Sequence, residues 1–260
     1  MDFRKAYAIA IKDLDEVFSS VGIYGPMLGV PMFFSVLLPV LTFYVTQYSA
    51  QGIVSKLVSL PGGSGVLGSG PGIFFMAFFS VSVLGPIFLT MPILTASVIA
   101  SDSFAGEKER KTAEALLATP IKTSELLLGK ILASFIPTVL LTVAVFAIYG
   151  AATNILAFRS FGQYILPTGP WIMMLLTSPF LAIAAISFVV LISSHVKSIK
   201  EAQQISTLLV LPILIMPFAA ILNIVELSVS FFVWFISFLF LLDVVALYIG
   251  IKSFRKENIL

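Results

Sequence analysis

Ten of the chain's 28 charged residues crowd into one stretch, "SDSFAGEKERKTAEALLATPIKTSELLLGK", residues 101–130. Glu107 and Lys111 stand at i, i+4 in the favourable order, and Lys111 and Glu114 at i, i+3. Ala113, Leu116 and Leu117 add a short apolar patch. From about Phe104 to Ala118 the stretch suits a helix, and Thr119-Pro120 ends it, because a residue before Pro avoids the α region. Thr123 or Ser124 then caps a second helix with Glu125 in its first turn. Solvation alone accounts for charge in a loop. A helix of mixed charge with one apolar edge suits docking into a groove on a soluble partner.

The other chemistry available is sparse. Asp243, in "FLFLLDVVALYIG", lies nine residues before Lys252, about 13 Å along a helix and so near mid-membrane. There it reads either as a cation or proton site or as a buried structural carboxyl. Thr42 and Thr46 could line a pathway, although Ser and Thr are routine at helix contacts in membranes. The single His, His195, and the absence of Cys exclude a multi-His metal site, thiolate catalysis and disulfides. A Ser–His hydrolase is equally unsupported, since His195 and the Gly-Ser-Gly tracts of 60–72 fall on opposite faces. No phosphate-binding Gly-x-x-x-x-Gly-Lys-Ser/Thr occurs, so the chain is not expected to bind or hydrolyse ATP.

The elements that must position these residues are membrane helices. Hydrophobic residues make up 59% of the 260 and charged ones 11%, and the mean hydropathy is +1.08. A soluble fold of this size leaves too much surface exposed to hide such a composition. Six stretches are long and apolar enough to span: about 22–46, 73–100, 127–152, 171–194, 205–223 and 229–251. The first is expected to persist as a span, not as a cleaved leader. The last two are separated by a few residues around Asn223 and Glu226 and should form a tight antiparallel hairpin.

With six spans, 13 Lys and Arg lie on the face that carries both ends, against Lys56 and Arg159 on the other. That bias places both termini and the 101–130 stretch in the cytoplasm. A net charge of only +2 with scattered basic residues argues against nucleic acid. Residues 1–20 form an amphipathic helix with Phe3, Tyr7, Ala10, Ile11, Leu14, Val17 and Phe18 on one face, expected to lie along the inner membrane surface. The expected fold is therefore an all-α integral membrane protein. It has an interfacial helix (1–20), a six-helix domain (21–260) and a cytoplasmic coupling segment (101–126) between spans two and three.

The segment "SFAGEKERKTAEALLATPIKTSELLLGK" resembles the cytoplasmic segment of ABC-2-type permeases, the membrane subunits of a class of ABC exporters. Members show a "GEKERGT" element, then "LLATP", then "GK" opening the third span. Here Lys111 replaces a common Gly, and Ala113-Glu114 a common Leu-Glu. The N-terminal helix, six spans and closing pair extend the similarity over essentially the whole chain.

The resemblance implies a permease, identical or homologous to a second copy, in a multi-pass cell-membrane complex with two ATP-binding subunits. ATP and Mg would sit on those subunits, with no cofactor on this chain. By that similarity Phe104, Gly106, Glu107, Glu109, Arg110, Lys111, Glu114, Leu116 and Leu117 belong to the coupling element. The rival reading is a secondary transporter driven by an ion gradient through Asp243, a class that usually carries internal repeats.

Overall fold

The computed structural model describes residues 3–19, 21–58, 71–110, 123–193, 196, 198–222 and 224–253. Every regular element among them is helical. A helix satisfies its own backbone groups, which hydrocarbon cannot do. Six helices are long and apolar enough to cross a bilayer: Met27–Tyr48, Gly72–Gly106, Ser124–Phe161, Gly169–Ser193, Ile199–Ile221 and Val229–Gly250. They are the six stretches expected from hydropathy, with shifted ends.

We label α1 Phe3–Ser19 and α2 Val21–Val58. The second span, α3, is the composite helix Gly72–Gly106, followed by one helical turn, Glu107–Glu109. Then come α4 Thr123–Phe161, α5 Gly169–Ser193, α6 Ile199–Thr207, α7 Val210–Ile221 and α8 Val229–Ser253. Together α6 and α7 make the fifth span.

The core lies where α3, α4 and α5 meet. Phe88 of α3 packs on Tyr149 of α4 (ring centroids 4.6 Å apart), and Tyr149 stacks on Trp171 of α5 (5.1 Å). Phe146 closes the group at 4.7 Å from Trp171. The Tyr149 hydroxyl donates to the Ser80 carbonyl (3.2 Å), inside a π-helical stretch, Phe79–Leu84, that widens α3 by one residue per turn. Pro86 follows, and the Leu89 N–H turns back to the Pro86 carbonyl (3.0 Å). Thus α3 is a broken helix whose break is filled by a phenol from α4.

One expectation about packing is corrected. The closing pair is not a packed hairpin: α7 lies against α3, and α8 packs along α5. Lipid covers an apolar helix face as well as another helix does, so a short link does not force neighbours together. Among the described side chains of α1, Ile9, Ala10 and Asp13 are buried and turned toward α4, while Tyr7 and Ile11 are exposed. Span two also runs further than hydropathy suggested, through Gly106, because the π-helical turn Asp102–Gly106 continues it.

At the far end of α4, Asn154 holds the connection to α5. Its carboxamide accepts from the Ile165 and Leu166 N–H groups (3.0 and 2.9 Å) and donates to the Leu166 carbonyl (2.7 Å). Gly162 starts this connection with φ 69°, which a side chain would strain.

Close approach of α3 and α5 depends on Gly85, where a Cβ would meet the Met174 sulfur at 2.7 Å. Gly85→Val should overpack the seam and cost about 1–3 kcal/mol. A lowered Tm of the detergent-solubilised protein, with wild-type helicity, is the expected result.

Candidate functional site

The charged residues converge at the end of the helix bundle that carries α1. Asp13 is 5% exposed, because Ile9 and Ala10 beside it pack on α4 and carry it into the seam. Lys130 stands in the second turn of α4, within "ELLLGKILASF", and is 1% exposed. A charge so buried must be paired and hydrogen-bonded to be tolerated.

Lys130 meets that requirement with groups from two other elements. Its ammonium lies 2.7 Å from Glu107 Oε1 and 3.5 Å from Asp13 Oδ2. It donates to the Ser103 carbonyl and sits 3.3 Å from Ser103 Oγ, with the Phe104 ring centroid 5.4 Å away. Ser103 Oγ donates in turn to Asp13 Oδ2 at 2.6 Å. On the outer side of Asp13, exposed Lys12 approaches Oδ1 to 3.5 Å. Lys12, Asp13, Lys130 and Glu107 thus alternate in sign and cancel.

The neighbouring charges are also used within the chain. Arg110 pairs with buried Asp102 at 2.9 Å, returning to its own span. The Glu109 carboxylate accepts from the Ile199 N–H at 2.8 Å. That amide opens α6, where Ser198 caps the Glu201 N–H (3.2 Å), and a helix N-terminus favours an anion. The end of α3 comes close to α6 because Gly106 has no side chain; a Cβ there would lie 3.3 Å from Ile199 Cδ1. Ala105, Val196 and Ala202 pack into the same junction.

Of the residues expected to couple to a partner, Glu107, Glu109 and Arg110 therefore tie the root of the segment to α4, α6 and α3 respectively. Phe104 and Gly106 are buried within the bundle. Lys111, Glu114, Leu116 and Leu117 lie outside the described residues, as do the Thr119-Pro120 stop and His195. Thr42 and Thr46 are buried and spend their hydroxyls on carbonyls of their own helix, Leu38 (2.8 Å) and Thr42 (2.7 Å). Asp243 is 4% exposed, and neither carboxyl oxygen has a hydrogen-bond partner among the described residues. No cluster of three or more His, Cys, Asp or Glu among those residues could hold a metal ion.

Sequence reading passed over Asp13, Asp102, Ser103 and Lys130 as parts of a site. Lys130 had a signal: an ionisable residue inside an apolar run wants a named partner. Asp13 had none, since it sits among charges on what looks like a solvated helix face.

A sequence model of the ABC-2 family transporter protein matches residues 7–231. The chain belongs to this family. No curated protein matches it. As an ABC-2 family member it is a permease of an ABC transporter, a multi-pass membrane subunit of a family whose members generally work with an ATP-binding subunit. The matched region contains α1 from Tyr7, all of the first five spans and the Lys130 cluster.

Removing one partner from a buried ion cluster strands the others. Lys130→Met should destabilise the permease by about 3–5 kcal/mol. Combining Lys130→Met with Asp13→Asn should recover about 1–3 kcal/mol relative to the sum of the single changes. Unfolding in detergent, followed across the double-mutant cycle, measures both.

Proposed function

We propose that the chain is the membrane subunit of an ABC exporter. In this reading two permease copies, identical or homologous, form the translocation pathway in the cell membrane with both termini in the cytoplasm. Two ATP-binding subunits carry ATP and Mg and dock on α1 and the segment 104–118. The 13 to 2 bias of Lys and Arg toward that end supports the orientation. The observation that carries the reading is the match over residues 7–231 together with six spans and a charged segment rooted between α3 and α4. ATP binding would close the two ATPase subunits, displace the docking segment and α1, and change the packing of spans at Pro137, Pro179 and Pro217 inside α4, α5 and α7.

Purification of the tagged chain from its native membrane is expected to bring down a soluble subunit with a phosphate-binding loop, near one copy per chain. Lys111→Glu, in the segment expected to dock, should weaken that association by roughly tenfold, about 1.4 kcal/mol, with the spans still folded. A chain that emerges alone and moves solute under an ion gradient would overturn the reading.

One observation favours a second reading, transport driven by ions through Asp243. Phe180 faces Phe240 (6.5 Å), and a Cβ at Gly250 would lie 3.2 Å from Val190 Cγ1, so α5 and α8 run parallel at one constant offset. Asp243 then stands level with Ile183, one turn from Ser187, whose buried hydroxyl also lacks a partner among the described residues. An ion-driven carrier should lose transport in Asp243→Asn, by about tenfold or more. The ATP-driven permease should keep it.

A further inference from the structure

We propose that Lys130 is the relay through which the docking segment acts on the membrane domain, by passing its ammonium from Glu107 to Asp13. The proposal rests on the reading that an ATP-binding subunit docks on this segment. Three elements meet at this one ammonium: α1 through Asp13, the end of α3 through Ser103 and Glu107, and α4 through Lys130 itself.

An ammonium has three N–H donors, and Lys130 has four acceptors around it. Glu107 and the Ser103 carbonyl are held tightly, while Ser103 Oγ at 3.3 Å and Asp13 Oδ2 at 3.5 Å are held loosely. If Glu107 is drawn away with the segment, a shift of under an ångström brings Asp13 into full contact. Glu107, at 18% exposed, can meet water, and so can Lys12 on the outer oxygen of Asp13. The buried cation is never left without a counter-charge. Two arrangements that differ in which carboxylate is close make a switch of the kind that amplifies a small displacement.

The helix above Lys130 is suited to receive the motion. Ser134, Thr138 and Thr142 follow at four-residue intervals, all buried, each hydroxyl donating to the carbonyl four residues back (3.1, 2.7 and 2.8 Å). Such bonds draw on the backbone ladder and bend helices. Pro137 removes one ladder bond in the same stretch. Arg110 and Glu109 lead elsewhere, to α3 and α6. Among the described residues, the Glu107–Lys130 contact is a direct route from the segment into α4.

The chain contains no Cys, so spin labels can be placed at Leu140→Cys on α4 and Phe238→Cys on α8, both exposed, without altering native thiols. The distance between them is read in the complex with its ATP-binding subunit, before and after trapping with ATP and vanadate. In the otherwise unaltered complex the distance should change on trapping.

In Asp13→Asn with Lys130→Met, a pair that keeps the net charge, the ATP-binding subunit should still co-purify and hydrolyse ATP. The change in distance should fall by roughly fivefold or more. Lys130→Arg alone, which keeps the cation beside native Asp13, should show at least about half of the unaltered change. A full change in distance in the double variant overturns the relay, as does the absence of any change in Lys130→Arg. If the double variant does not assemble, Glu107→Gln decides: a change reduced at least about twofold supports the relay, and a full one overturns it. Absence of any ATP-binding subunit from the unaltered complex sinks the docking reading instead, and the relay with it.

Discussion

An ammonium buried to 1% exposure cannot be left alone, and much of the arrangement at one end of this permease follows from that constraint. Taking the charge of Lys130 out of water costs several kcal/mol unless carboxylates and lone pairs replace the water. Meeting that cost brings Glu107 in from the end of α3 and Asp13 in from α1, and it aligns the Ser103 carbonyl between them. The π-helical turn Asp102–Gly106 offers the extra backbone freedom that lets Ser103 and Glu107 reach the same point. Three elements far apart in sequence are thereby held in one register.

The opposite character prevails deeper in the bundle, where the seams are apolar and aromatic. Lipid supplies no hydrophobic drive for helices to associate, so fit decides which faces meet. Gly85 lets α5 approach α3, and the rings of Phe88, Phe146, Tyr149 and Trp171 fill the centre. Tyr149 joins the two regimes by satisfying a carbonyl in a π-helical break. Both irregular turns of α3 thus lie where a side chain of α4 supplies a hydrogen bond. An irregular backbone is tolerated at membrane depth when buried partners re-satisfy it. The pairing of α3 with α4 is consequently specific at two levels, ionic at one end and aromatic within.

The charged segment between these helices changes its meaning once its contacts are known. Mixed charge at helical spacing reads as a surface prepared for another protein. Glu107, Glu109 and Arg110 instead anchor the start of the segment to α4, α6 and α3. An anchored root does not oppose docking further along. In the docking proposed above, a root tied at three points would let force on the segment reach the spans, where a loose one would dissipate it in loop motion.

What the sequence by itself determined is the membrane class, the six spans, the helical content and the family. Each depends on a summed or periodic property: hydropathy over about 20 residues, or a motif read along a contiguous segment. Errors in single positions average out of such sums. Tertiary structure alone decided that α8 packs along α5 and not α7, that Asp13 faces inward, and that Glu107 meets Lys130. These are choices among faces and partners separated by many residues. An apolar helix face looks the same in sequence whether lipid or another helix covers it. A carboxylate beside a lysine looks solvated until a buried cation more than a hundred positions away claims it.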